Sequence, residues 1–313
     1  MGKPTGISPF GPPLGVRGKH HMTVFDTLKA IAAHPVNKGH ELGAFSRYLK
    51  WQIGSRLNPH PVVYPFVENS KLIIWKGLTG ATGNIYMGLH EFEDMAFVLH
   101  FLRPDDLFVD IGANVGSYTV LAASVVGAST ISIEPVPSTY DILLTNIKLN
   151  NCEQIAQPLN IALGSEKTAL KFTRSFGTEN HVALDNELDT VEVPVEKFDD
   201  LMADKMPVLI KMDVEGFETE VLKGMEKSLE NHQLKAIIIE LNGSGKRYGY
   251  DESKIHEKLL SHNFTPYQYR PFERELVKVE KYGTHNTIYI SDIDFVKNRA
   301  VSARKFKVLA KSI

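Results

Sequence analysis

Three groups of residues stand where chemistry could be done. One is the turn Gly112-Ala-Asn114-Val-Gly116, preceded two residues earlier by Asp110. Another is Glu134, eighteen residues beyond Gly116. The third is the run Lys211-Met-Asp213-Val-Glu215-Gly216. Glycines let a backbone approach a ligand closely, and Asn114 tolerates a left-handed conformation better than most residues. An acid at the end of a second strand can accept both ribose hydroxyls of an adenosine.

Two cofactors suit that outline. A nicotinamide dinucleotide carries a pyrophosphate and wants G-x-G-x-x-G against a helix N-terminus. This turn reads G-x-N-x-G and lacks the third glycine. S-adenosyl-L-methionine has no phosphate. It carries a sulfonium and an ammonium, and so favours carboxylates such as Asp110. A glycine turn that binds nothing is the plain alternative, and the two strand-end acids argue against it. Asp213 and Glu215 alternate, so in an extended segment they share a face. One can orient the methionine ammonium, and the other can act as general base on an acceptor hydroxyl. Glu218 is read as complementing a helix dipole. Asp213 and Glu240 could share a divalent cation. Structural hydrogen-bonded acids are the preferred reading there, and no metal site is assigned. His181 and His285 are further candidate bases.

These residues need elements to position them. From residue 107, short apolar strands alternate with helices. The strands are expected over 107–111, 130–134, 155–162, 208–212, 236–241, 264–269 and 286–290. Helices start near Gly116, Ser138, Phe217 and Glu252. Such alternation predicts an α/β fold, a mostly parallel sheet covered on both faces. Runs at 169–173 and 191–195 add two β-like pieces around a polar loop. Upstream, helices are expected over 23–33, 41–57 and 90–102, with short β runs at 62–67 and 72–75. The glycine-dense stretch 77–88 reads as a ribbon or loop.

VDIGANVGSYT, the IEP at 133–135, NIALG at 160–164, FDDL at 198–201, VLIKMDVEGFETEVLKG at 208–224 and IIIELN at 237–242 together resemble the FkbM family of S-adenosylmethionine-dependent methyltransferases. The resemblance covers roughly residues 85–291. It implies a Rossmann-like class I methyltransferase fold, a seven-stranded sheet with its last strand antiparallel. It also implies methyl transfer, mostly to oxygen, on a small-molecule or glycan acceptor, and Ala162 facing the adenine. The expected cofactor set is Asp110, Gly112, Asn114, Gly116, Glu134, Ala162 and Asp213, with Asp213 and Glu215 catalytic. A nicotinamide-dependent oxidoreductase and an idle binding module are the rival readings.

Composition narrows the rest. The hydrophobic fraction is 43% and the charge sum is 35 − 37 = −2, which disfavours a protein built to grip nucleic acid. The single cysteine, Cys152, excludes an intrachain disulfide and points to a reducing cytoplasm. The uncharged window between Ile111 and Ile133 is punctuated by glycines and hydroxyls, so no membrane span is expected. The expected organisation is a flexible leader over 1–22, an accessory segment over 23–89, the methyltransferase domain over 90–292 and a basic tail over 293–313. The leader lacks the apolar stretch of a signal peptide. The tail is read as a solvated helix.

Overall fold

A computed structural model describes residues 23–313, apart from the side chains of residues 79, 80 and 178. The expected leader over 1–22 lies outside the described residues. The central sheet has eight strands: β1 (Leu107–Ile111), β2 (Ser129–Ile133), β3 (Ala156–Leu159), β4 (Leu209–Met212), β5 (Ala236–Glu240), β6 (Thr265–Arg270), β7 (Glu275–Lys278) and β8 (Asn286–Ile290). Their order is β7-β6-β8-β5-β4-β1-β2-β3. β1 to β5 run parallel. β8 is antiparallel between β5 and β6, as the resemblance implied. The sheet has one strand more than the seven expected, because β7 folds back on β6 as an antiparallel edge. All four residues of β4 are buried, as are the first four of β5, as a strand covered on both faces requires. Two apolar clusters do the covering. One centres on Phe97, Phe101 and Phe108, the other on Val109, Ile210 and Ile237.

The N-terminal helices fall where the pattern put them, at Val24–Ala33 and Glu41–Leu57. Thr23 and Asp26 close a capping box on the former. In the latter the outward face is the apolar one: Leu42, Leu49 and Ile53 are exposed, whereas Ala44 and Ser55 are buried. The stretch expected as a ribbon or loop is instead a helix, Thr79–Met87. Ala81 and Ile85 stand four apart and are both buried, and that burial outweighs the poor helix propensity of glycine. A side chain at Gly83 would collide with the His90 ring.

A two-stranded ribbon, Val62–Pro65 with Lys71–Ile74, lies against the helix Pro137–Leu149. Asn146 of that helix and Asn150 at its C-cap stitch it down. Asn146 Oδ1 accepts from the Ile73 N–H at 2.7 Å, and its Nδ2 donates to the Val115 carbonyl at 2.7 Å. Asn150 accepts from the Lys71 N–H and donates to the Lys71 carbonyl. The basic end is not the solvated tail expected. Val296, Ala300, Phe306, Val308 and Ile313 are buried, and Arg299 pairs with Asp106. Apolar spacing within the end, masked in the sequence by its six basic residues, drives the docking. Among the described residues no helix is long and apolar enough to cross a membrane.

Candidate active site

In an open parallel sheet, ligands sit beyond the carboxyl ends of the strands where the strand order reverses. Here that point lies between β1 and β4. Gly112, Asn114 and Gly116 follow β1 in left-handed conformation, with φ of 76°, 52° and 87°. What the two glycines accommodate is the protein itself. A Cβ on Gly112 would overlap the Asp213 carbonyl oxygen, and one on Gly116 would meet Leu143 at 2.6 Å. The turn after β1 is thereby pressed against the turn after β4.

A pocket opens beside these turns. Gly112, Asn114, Glu134, Ala162, Asp213 and Glu215 line it, and Val214, Phe172 and Phe217 add apolar walls. Glu134 is buried. Its two oxygens accept from the backbone N–H groups of Asn114 (3.0 Å) and Val136 (2.9 Å). Burial, partly offset by those bonds, pushes its pKa up to about 7. Two expected residues stand back from the pocket. Asp110 is 1% exposed beneath the turn, where one oxygen accepts from the Thr119 hydroxyl at 2.8 Å. Its other oxygen has no partner among the described residues. Gly116 shapes the helix start against Leu143 and lines neither cavity described here.

A wider cleft continues from the pocket. Gly112, Asn114, Asp213 and Glu215 line both. The Asp213 carboxylate takes an ion pair from the buried Lys211 at 2.8 Å. The extended alternation expected for Asp213 and Glu215 is corrected. β4 ends at Met212, and Glu215 sits in a turn with φ of 54°, a strained conformation for a non-glycine residue and one that gathers at active sites. That turn still brings the two acids together. Carboxylate oxygens of Asp213, Glu215 and Glu240 lie within 4.8 Å of one another. Burial, then the Asp213 charge, raises Glu215 to about 7 and Glu240 to about 9. Glu218 holds the turn, its oxygen accepting from the N–H groups of Val214 and Gly216 at 3.2 Å. Of the two histidines, His285 lines the cleft. His181 is buried against Glu187 and the Glu179 carbonyl and lines neither cavity.

Sequence reasoning passed over Phe172 and Asn180 of the pocket and His90, Glu91, Tyr118 and Arg247 of the cleft. Val214 within the acidic run and Phe217 directly after it are pocket walls that their place in the sequence could have flagged. The donor set fits S-adenosyl-L-methionine. Carboxylates surround the place a cation would take, and the apolar side chains of Phe172, Val214 and Phe217 offer an adenine its walls. A phosphate would meet Glu134, Asp213 and Glu215.

The family described as Methyltransferase FkbM domain matches residues 110–266. The hexuronic acid methyltransferase AglP of Haloferax volcanii is 27% identical over 185 residues, 55% of this chain and 68% of that protein. Methyltransferase 1 of Beauveria bassiana is 30% identical over 150 residues, 39% of this chain and 60% of that protein. Among solved structures, a putative transferase from Pyrococcus horikoshii is similar over 74% of this chain and 71% of that one. Its identity is 14% and its TM-score 0.39.

Proposed function

The chain belongs to the FkbM methyltransferase domain family, and from that premise we propose that it moves the methyl group of S-adenosyl-L-methionine onto a hydroxyl oxygen of a small molecule or glycan. One observation carries the reading: Gly112, Asn114, Asp213 and Glu215 line the pocket and the cleft alike, so two bound molecules would meet over them. The relative described as a hexuronic acid methyltransferase supports a sugar as the acceptor.

When bound, the cofactor supplies a methyl group made electrophilic by a positively charged sulfur. The chain's residues do the rest. Glu134 would hold the ribose hydroxyls with the lone pairs that its two backbone donors leave free. Ala162, Val214 and Phe217 would flank the adenine. Asp213, fixed by Lys211, would orient the methionine ammonium. Glu215 takes the proton of the acceptor hydroxyl; a carboxyl raised to about 7 is half ionised near neutrality, where general-base catalysis is most effective. Glu215 would keep the proton that the acceptor oxygen gives up in exchange for the methyl group. Holding both partners in one cleft supplies much of the acceleration.

The test is calorimetry with S-adenosylhomocysteine, then mass spectrometry of a sugar panel incubated with S-adenosylmethionine. The expected results are saturable binding and a product heavier by one methyl on oxygen. Absence of S-adenosylhomocysteine binding would overturn the proposal, and a methyl found on nitrogen or carbon would overturn its hydroxyl half.

A further inference from the structure

A surface helix of a globular protein turns its apolar stripe to the core. The helix Glu41–Leu57 does the reverse. Ala44 and Ser55 face inward, while Leu42, Leu49, Ile53 and Leu57 stand 52–86% exposed. At about 3.6 residues per turn these four fall in one sector roughly 80° wide, with Ser46 among them. Exposed cations border the sector, Arg56 on one edge and Lys50 on the other. Among the described residues Arg56 donates to Gln52 Oε1 at 2.7 Å, and neither cation is paired with a carboxylate. Glu41, the one acid of the helix, lies off the sector.

A second feature adjoins the first. Lys50 and Gly54, next in sequence after Leu49 and Ile53, line a pocket together with Arg47, His60, Trp51 and Tyr64, and no acid lines it. Arg47 is half-buried. Its Nε donates to the Ile85 carbonyl at 3.1 Å, and its Nη2 to Asn37 Oδ1 at 2.7 Å and the Tyr86 carbonyl at 2.9 Å, which leaves Nη1 over. Burial works against the guanidinium charge, and no carboxylate offsets it.

We propose that this face docks on an anionic phospholipid bilayer, with Leu42, Leu49, Ile53 and Leu57 entering the acyl boundary and Arg47 Nη1 and Lys50 taking a headgroup phosphate in the pocket. A helix of this kind lies in the membrane interface and does not cross it. Lys50 and Arg56 can lay their stems along the apolar layer and keep their charges among the phosphates. A second copy of the chain fits less well. A two-fold contact sets a patch against itself, so the cations of one copy would meet those of the other with no acid on the face to pair them. The surface stands independently of the methyl-transfer reading.

The test is flotation of the full chain with vesicles of phosphatidylcholine alone and of phosphatidylcholine mixed with phosphatidylserine. Binding to the mixed vesicles is expected to be at least about tenfold tighter, and to loosen as salt shortens the range of the charges. Leu49→Glu with Ile53→Glu is expected to weaken it at least about tenfold. Lys50→Gln and Arg56→Gln are each expected to weaken it about fivefold. All four sites are exposed, so Tm is expected to stay unchanged, which guards against a folding artefact. Inorganic phosphate at matched ionic strength is expected not to displace the chain. Equal affinity for both vesicles, no binding to either, or binding that survives the paired glutamates overturns the proposal. So does displacement by phosphate, which would give the pocket to a free anion, or a concentration-dependent dimer that the paired glutamates dissolve, which would give the face to a second copy.

Discussion

Glu215 and Glu134 carry different burdens, and single substitutions separate them. Glu215→Gln keeps the shape of the side chain and loses proton acceptance. Turnover is expected to fall roughly 10²–10⁴-fold with S-adenosylhomocysteine affinity little changed. The pH profile offers a second readout. With its carboxyl near 7, the native rate rises as pH passes that value, and the variant lacks this limb. A profile identical in both proteins would take the base away from Glu215. Glu134 has a double role, since each oxygen already satisfies a backbone donor. Glu134→Ala is therefore expected to weaken S-adenosylhomocysteine by about 1.5–3 kcal/mol and also to lower the Tm of the ligand-free protein, because buried N–H groups lose their acceptors. An unchanged Tm would mean the turn finds other partners.

Among elements, the contact between the turns after β1 and β4 is the most exacting. Gly112→Ala would force a Cβ into the Asp213 carbonyl at a φ of 76°, so the acidic turn must shift. Loss of S-adenosylhomocysteine binding, with a drop in stability of more than about 1 kcal/mol, is the expected outcome by calorimetry and thermal melting. Native-like binding would show that the two turns slide freely. The sequence announced the turn after β1, because glycine and asparagine beside a carboxylate after an apolar strand are legible as local pattern; it read the acidic run after β4 as extended, since alternating acids look the same in a strand and in this turn. It also announced the sheet, since continuous apolar runs such as Ile237–Ile239 have few other uses. Glu91 and Tyr118 were silent. Each reaches the cleft from an element whose own periodicity says only that it is helical, and the meeting depends on packing across tens of residues. The Thr79–Met87 helix was silent for a related reason: its glycines argue locally for a loop, and tertiary burial decides otherwise.

For the whole molecule, the surplus of buried acids ties stability to protons. Glu134, Glu215 and Glu218 are raised by burial to about 7, and Glu240 to about 9. Between their unfolded values and these, the folded chain holds protons that the unfolded chain has released, so stability declines as pH rises through that window. The ligand-free Tm is expected to fall from about pH 5 to about pH 8, and Glu240→Gln to flatten the slope. A Tm that climbs over that range would contradict the picture. The asparagine stitching has a consequence of another kind. The Ile73 amide is held by Asn146, whose other arm grips Val115 in the turn after β1. That amide can meet solvent deuterium only when the helix Pro137–Leu149 lets go, so it should keep the time of global opening rather than that of a frayed two-stranded ribbon. One of the slowest clocks in the molecule is thus expected to tick in a ribbon outside the sheet, and Asn146→Ala should set it running fast.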